Sequence, residues 1–173
     1  MILMLQQFEI ALRKRSEVLA QRLQPGLAPS IIQKKLERAR VVGNVEPIVS
    51  LFSWRNGSEL DRSISRIEAT PFLQSAYIFL NFERMLMDFK SFYEYSNYHK
   101  KYLPIIGKYF PLFWNGFNNW IAVNIKSSGT GEIVLLLTHE EEIARLACVS
   151  FKIFIEDAIK ANESNLPMEY LRV

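Results

Sequence analysis

Two short stretches hold the side chains best able to do chemistry. His139-Glu140-Glu141-Glu142 sets an imidazole beside three carboxylates, donors that could hold a cation or form an acid–base pair. A zinc-protease site needs a second histidine one helical turn away, and none stands there. His99, the other histidine, lies 40 residues earlier in a Tyr/Lys-rich run. Three adjacent glutamates suit a solvated loop. Cys148 has no histidine near it in sequence, and its apolar neighbours suit a small buried hydrophobe. Gly129-Thr130-Gly131 is too short for a phosphate loop and sits between strand patterns rather than before a helix. No nucleophile elbow occurs. The residues therefore point to no catalytic machinery, no metal and no cofactor.

A third stretch suits recognition. Phe92-Tyr93-Glu94-Tyr95-Ser96-Asn97-Tyr98-His99-Lys100-Lys101-Tyr102 interleaves aromatics with bases, as nucleic-acid readers do. The plainer reading is a helix C-terminus whose Lys100 and Lys101 complement the helix dipole. The balance of charge favours that reading, and no direct nucleic-acid contact is expected.

The elements that must position these residues are legible from periodicity. Leu5, Phe8, Leu12, Leu19 and Leu23 recur at helical spacing and predict a helix over 3–23, stopped by Gln24-Pro25-Gly26. Helices follow over 30–41 and 46–55, with Gly57 where a helix often ends in a left-handed residue. Residues 58–71 read as a polar loop, and 76–80 as an extended piece. Asn81 is a predicted N-cap for a helix over 82–98. Ser150 caps a last helix over 150–162, and the tail beyond frays.

Between these helices lies a meander over 107–137. Phe110-Pro111-Leu112-Phe113-Trp114 and Asn119-Trp120-Ile121-Ala122-Val123-Asn124 flank Asn115-Gly116, the signature of a tight type I′ turn. A two-residue turn sets Trp114 opposite Phe117, Leu112 opposite Asn119 and Phe110 opposite Ile121. Phe110, Leu112, Trp114, Phe117, Ile121 and Val123 then share one face, which reads as core. Tyr109, Phe113, Asn118, Trp120 and Asn124 share the other, an aromatic–amide mixture common at interfaces. On this register Trp114 is buried and Trp120 points to the opposite side. Pro111 lacks the N–H that an outer neighbour would need, so its strand should be an edge. Glu132–Leu137 makes the third strand. Helices around an antiparallel meander give an α+β fold in one domain, with 1–28 a helical extension, 29–161 the core and 162–173 a tail.

Composition narrows the class. The 173 residues are 49% hydrophobic and 23% charged, ordinary for a soluble globular chain. No apolar run approaches the roughly 18–20 residues of a membrane span. Met1–Leu5 lacks the basic and small-residue flanks of a secretory signal. A single cysteine excludes an internal disulfide, and a cytoplasmic setting is expected. The net charge of +3 is uneven: residues 1–45 hold eight basic groups against three acidic, and 104–173 hold six against eight.

Taken in order, these parts resemble the SUKH superfamily, in the branch named for a fungal cell-wall-synthesis regulator. Pro29-Ser30-Ile31-Ile32-Gln33-Lys34-Lys35-Leu36-Glu37 precedes a helix ending in Trp54-Arg55-Asn56-Gly57, similar to the family's Tyr/Trp–His–Asn–Gly phrase with Arg at the commonly His position. Tyr77-Ile78-Phe79-Leu80 before a helix, the strand Phe110-Pro111-Leu112-Phe113 and the closing Ser150-Phe151-Lys152-Ile153-Phe154-Ile155 match its later steps. The chain departs from the Gly-Asp-rich turn that often follows the Pro strand. The resemblance implies a non-enzymatic protein-binding role. Bacterial members are mostly immunity proteins that block a cognate toxin domain, often a nuclease. Fungal relatives act as interaction modules in cell-wall signalling. A small enzyme using His139 and the glutamates is the third option. For a nuclease partner, the acidic groups Glu140, Glu141, Glu142, Glu156 and Asp157 would join the Trp120 face; for another toxin, the basic N-terminal helices would steer the encounter.

Overall fold

The computed structural model describes residues 1–58, 77–116, 119–127, 131–166, 168 and 171. The fold is α+β. In order come α1 (Ile2–Arg15), α2 (Glu17–Gln21), β1 (Leu23–Pro25), α3 (Pro29–Arg38), α4 (Glu46–Trp54), β2 (Arg55–Ser58), α5 (Phe82–Tyr98), a 3₁₀ helix (Lys100–Ile105), β3 (Tyr109–Trp114), β4 (Asn119–Asn124), β5 (Ile133–Leu137), β6 (Ala144–Cys148) and α6 (Phe151–Ser164). β3-β4-β5-β6 form an antiparallel meander, and β1-β2 a small second sheet.

Both faces of the meander are covered. On one lie Phe110, Phe113, Ile121, Val123 and Leu135 with the apolar stripes of α1, α4 and α6. On the other lie Tyr109, Trp120, Ala122, Val134 and Leu136 with Phe92 of α5 and Ile105 of the 3₁₀ helix. That double cover explains why β5 reads Ile-Val-Leu-Leu-Leu without alternation and is buried along its whole length. Helix α5 runs beside the β3 edge and serves both faces. Its Phe82 and Phe89 pack on Phe110, and its Phe92 meets the Trp120 ring edge-on at 5.2 Å.

Caps behave as their chemistry demands. The Asn81 side chain accepts from the Arg84 N–H, and the Ser150 hydroxyl accepts from the Ile153 N–H. The expected single helix over 3–23 is instead two. Ser16 takes an extended conformation, and its side chain caps α2 by accepting from Leu19 N–H. The strands β1, β2 and β6 were absent from the periodicity. β1 and β2 are short and carry Pro25 and Gly57. β6 is an edge strand exposed at Arg145 and Leu146, so its pattern is weak. The N-terminal segment is no appendage: Leu5, Phe8, Leu12, Ala20 and Leu23 belong to the main core. Beyond the expected helix end, α6 continues to Ser164, and Asn162, Met168 and Leu171 are buried.

The hairpin register differs from the two-residue-turn expectation. Trp114 pairs with Trp120, Phe113 with Ile121, Pro111 with Ala122, Phe110 with Val123 and Tyr109 with Asn124, with an irregularity between Pro111 and Phe113. Asn115 N–H donates to Asn119 O, and Asn119 N–H donates to Asn115 Oδ1, so a longer loop closes the hairpin. The extra residue at Leu112 is a bulge, and it turns Phe113 to the Phe110 side. Directly paired residues point to the same face, so both tryptophans share one face, contrary to expectation. β3 is the outer strand of the meander, and its far side is bridged by Ile78 at Trp114, three residues beyond Pro111. Ile125 N–H donates to Lys108 O, which marks Lys108–Ile125 as a hydrogen-bonded pair. Alternation then makes Pro111–Ala122 a non-hydrogen-bonded pair, where a missing N–H is harmless.

Candidate functional site

The residues expected to form an exposed aromatic–amide surface are mostly interior. Tyr109, Phe113, Trp120 and Asn124 are all buried. The physical reason is cover: α5 and the 3₁₀ helix close over the Tyr109–Trp120 face, while the bulge sends Phe113 against Phe79 and Phe154. A contact surface must be exposed, and these four are not. Asn118 lies outside the described residues, as does Phe117. Asn124 is spent on local structure, donating from Nδ2 to Glu132 Oε2 at 2.8 Å and accepting from Lys126 N–H. Glu140, Glu141 and Glu142 are exposed in the β5–β6 turn. That turn lies near the Trp120 end of the sheet, whereas Asn124 lies at the far end, so the expected set does not converge. Among the described residues, no three His, Cys, Asp or Glu side chains are grouped to hold a metal ion. No described helix is long and apolar enough to cross a membrane.

Two polar constellations stand out instead, each centred on an acid in a helical apolar stripe. Glu9 sits among Leu5, Phe8 and Leu12 on α1. Arg55 grips its carboxylate with two hydrogen bonds, Nη2 to Oε1 at 2.8 Å and Nε to Oε2 at 3.1 Å. Arg13 Nη2 adds a third at 3.0 Å and the Trp54 indole N–H a fourth at 3.1 Å. Burial pushes the Glu9 pKa up, but the hydrogen bonds and charges of Arg55 and Arg13 outweigh it and hold the carboxyl below its ordinary value. Asp88 occupies the stripe of α5 between Met85 and Phe92. The Trp120 indole N–H donates to its Oδ2 at 2.9 Å, and Arg84 Nε donates to Oδ1 at 3.1 Å. Arg84 also lies over the Trp114 ring, 5.8 Å from its centroid. Here burial dominates and raises the pKa, with Trp120 and Arg84 opposing.

The Trp54-Arg55-Asn56-Gly57 phrase is thereby accounted for residue by residue. Trp54 and Arg55 hold Glu9. Asn56 Oδ1 accepts from the Phe82 N–H at the start of α5, at 2.9 Å. Gly57 has φ +85°, and a Cβ there would come within 2.6 Å of the Asn81 nitrogen. Each position serves the scaffold.

The exposed aromatics lie elsewhere, at the end of α5 and on the 3₁₀ helix. Tyr98 is 82% exposed and Leu103 58%, with Tyr93 and Tyr95 each 45% exposed. This is the Tyr/Lys run that composition alone assigns to a helix end. Near the acidic turn, burial pushes the Tyr77 phenol up to about 12, with Arg145 opposing and Glu140 reinforcing. A scan against protein-family models finds no match, and no curated protein matches the chain.

Proposed function

We propose that this chain is a SUKH-type, non-enzymatic immunity protein that binds a cognate toxin domain and occludes its active site in the cytoplasm. One observation carries the reading. The Trp54-Arg55-Asn56-Gly57 phrase, one of the ordered motifs that carry the resemblance, holds α1, β2 and α5 together. A phrase that serves the scaffold can stay constant while the surface varies, which is what a set of immunity proteins with different partners requires. Occlusion needs a rigid surface with a few aromatic or Arg anchors. The exposed tyrosines at the end of α5 supply such anchors more readily than the buried hairpin face. The fungal role, a regulatory interaction module, uses the same scaffold with a non-toxin partner.

The test is co-production with the product of the neighbouring gene; a large secreted protein with a variable C-terminal domain encoded there would supply the toxin domain. We expect growth protection and 1:1 co-purification. Neither protection nor binding would overturn the immunity reading, and capture of a non-secreted regulatory partner would support the module reading in its place.

A further inference from the structure

Of the two outer strands of the meander, one is left open. The far side of β3 is bridged by Ile78 at Trp114. The far side of β6 pairs with nothing among the described residues. The direction of its backbone groups follows from one bond. Leu137 N–H donates to Ile143 O, which makes Leu137–Ile143 a hydrogen-bonded pair. Alternation through Leu136–Ala144, Leu135–Arg145 and Val134–Leu146 then turns the Arg145 backbone to β5, and the N–H and C=O of Ala144 and Leu146 outward. The side chains divide by the same pairing. Leu146 stands beside Val134, on the α5 side of the sheet, and is 59% exposed. Arg145 stands beside Leu135, on the opposite side, and is exposed there. Among the described residues Arg145 has no ion-pair partner.

Outward backbone groups in line select an extended segment, which bonds to Ala144 and Leu146 as a fifth strand. The residue opposite Arg145 then falls in a non-hydrogen-bonded pair, where side chains come closest. An unpaired guanidinium calls for an acid at that place, and Leu146 calls for an apolar residue next to it. The Tyr77 phenol supports the same choice. It is buried, its hydroxyl has no hydrogen-bond partner, and Arg145 is the stronger of two charges that act on it, with Glu140 opposing. A second copy of β6 fits less well. Antiparallel pairing over the whole of Ala144–Cys148 sets Leu146 opposite itself and Arg145 opposite Ala147. The two Arg145 side chains are then diagonal neighbours on one face, a repulsion of the kind that guards strand edges against self-pairing. A nucleic acid offers no strand to pair. We infer that the β6 edge docks an extended segment of another protein, taken antiparallel, with a carboxylate opposite Arg145 and apolar side chains opposite Ala144 and Leu146. Exposed Glu140, Glu141 and Glu142 precede β6 and confine the acid to that one position. The contact uses none of the tyrosines at the end of α5 and is independent of the toxin reading.

Amide NMR of the isotope-labelled full chain tests it, with acetyl-Thr-Val-Glu-Val-Thr-amide as the probe. Antiparallel seating sets the probe's glutamate opposite Arg145 and its valines opposite Ala144 and Leu146. Titration should shift the Ala144 and Leu146 amides saturably and slow their exchange with water. The same peptide with lysine in place of glutamate should bind about fivefold or more weakly. Arg145→Glu should invert that order of preference, and its thermal unfolding should match the parent. N-methylation of both valines should abolish binding, because their N–H groups are the ones that face β6. The inference is overturned if no saturable shift occurs up to about 5 mM peptide. Shifts that leave Ala144 and Leu146 untouched overturn it too, as does equal binding of the glutamate and lysine peptides. Protection of the Ala144 and Leu146 amides that grows with protein concentration alone would give the edge to a second copy instead.

Discussion

Glu9 and Asp88 are built from the same parts and titrate in opposite directions. Each is an acid inside an apolar helical stripe, and each accepts from a tryptophan indole and an arginine. Glu9 has two guanidiniums, one of them bidentate, and its pKa falls. Asp88 has one, bonded through Nε alone and shared with the Trp114 ring, and its pKa rises. The difference teaches that a tryptophan N–H satisfies a buried carboxylate without neutralising it. Burial raises both pKa values; at Glu9 two guanidiniums outweigh it, and at Asp88 Trp120 and Arg84 together do not.

The signs follow for pH. Glu9 ionises more easily in the folded chain, so its stabilisation is complete above its unfolded pKa, near 4.5, and drains away as pH falls through the lower folded value. Asp88 ionises less easily when folded. Its charge opposes folding at neutral pH, and that cost lifts as pH falls through its raised folded pKa, vanishing below the unfolded value of 3.8.

The severest way to break the comparison is Trp120→Ala. It removes the indole from Asp88 and a buried ring from Phe92, and should cost about 3–5 kcal/mol in urea unfolding. Glu9→Gln at pH 7 should cost about 1.5–3 kcal/mol, because Arg55 and Arg13 lose their counter-charge. That deficit should shrink as unfolding is repeated toward pH 4. Trp120→Phe keeps a ring against Phe92 and removes only the donor. It should cost about 1–3 kcal/mol and push the Asp88 pKa higher still, readable by carboxyl NMR titration. Asp88→Asn is the mildest and the most telling. It keeps an acceptor for Trp120, and should stabilise the chain by about 1 kcal/mol or less at pH 7, with the gain fading toward pH 4. Wild-type differences of the same sign at both sites, or no change with pH at either, would remove the distinction.

Much of this was legible in the chain. Asn81 and Ser150 announce their helices because a cap is a local hydrogen bond, and Pro111 marks an edge because its missing N–H is a local fact. The two hubs leave a trace as well: Glu9 and Asp88 interrupt otherwise apolar stripes, a pattern that periodicity alone passes over. The hairpin register was not legible. Asn115-Gly116 promises a tight turn, but the bulge at Leu112 and the Asn115–Asn119 closure depend on what packs around the strands. Exposure was misread for a similar reason. Tyr109 and Trp120 have the composition of an interface, and only the path of α5 shows that they are interior, while Tyr98 and Leu103 face solvent.

The packing of α1 on α6 has a consequence for synthesis. Arg15 donates to Asn162 Oδ1 at 2.8 Å across 147 residues of chain, and Leu5, Phe8 and Leu12 share a core with Phe154, Ile155 and Ala158. During synthesis α1 thus waits for α6. At about 5–20 residues per second, that delay is on the order of ten seconds. Through that interval the α1 stripe has its α4 neighbours but lacks its α6 cover, and a stop codon placed before α6 should yield a product that holdase chaperones retain.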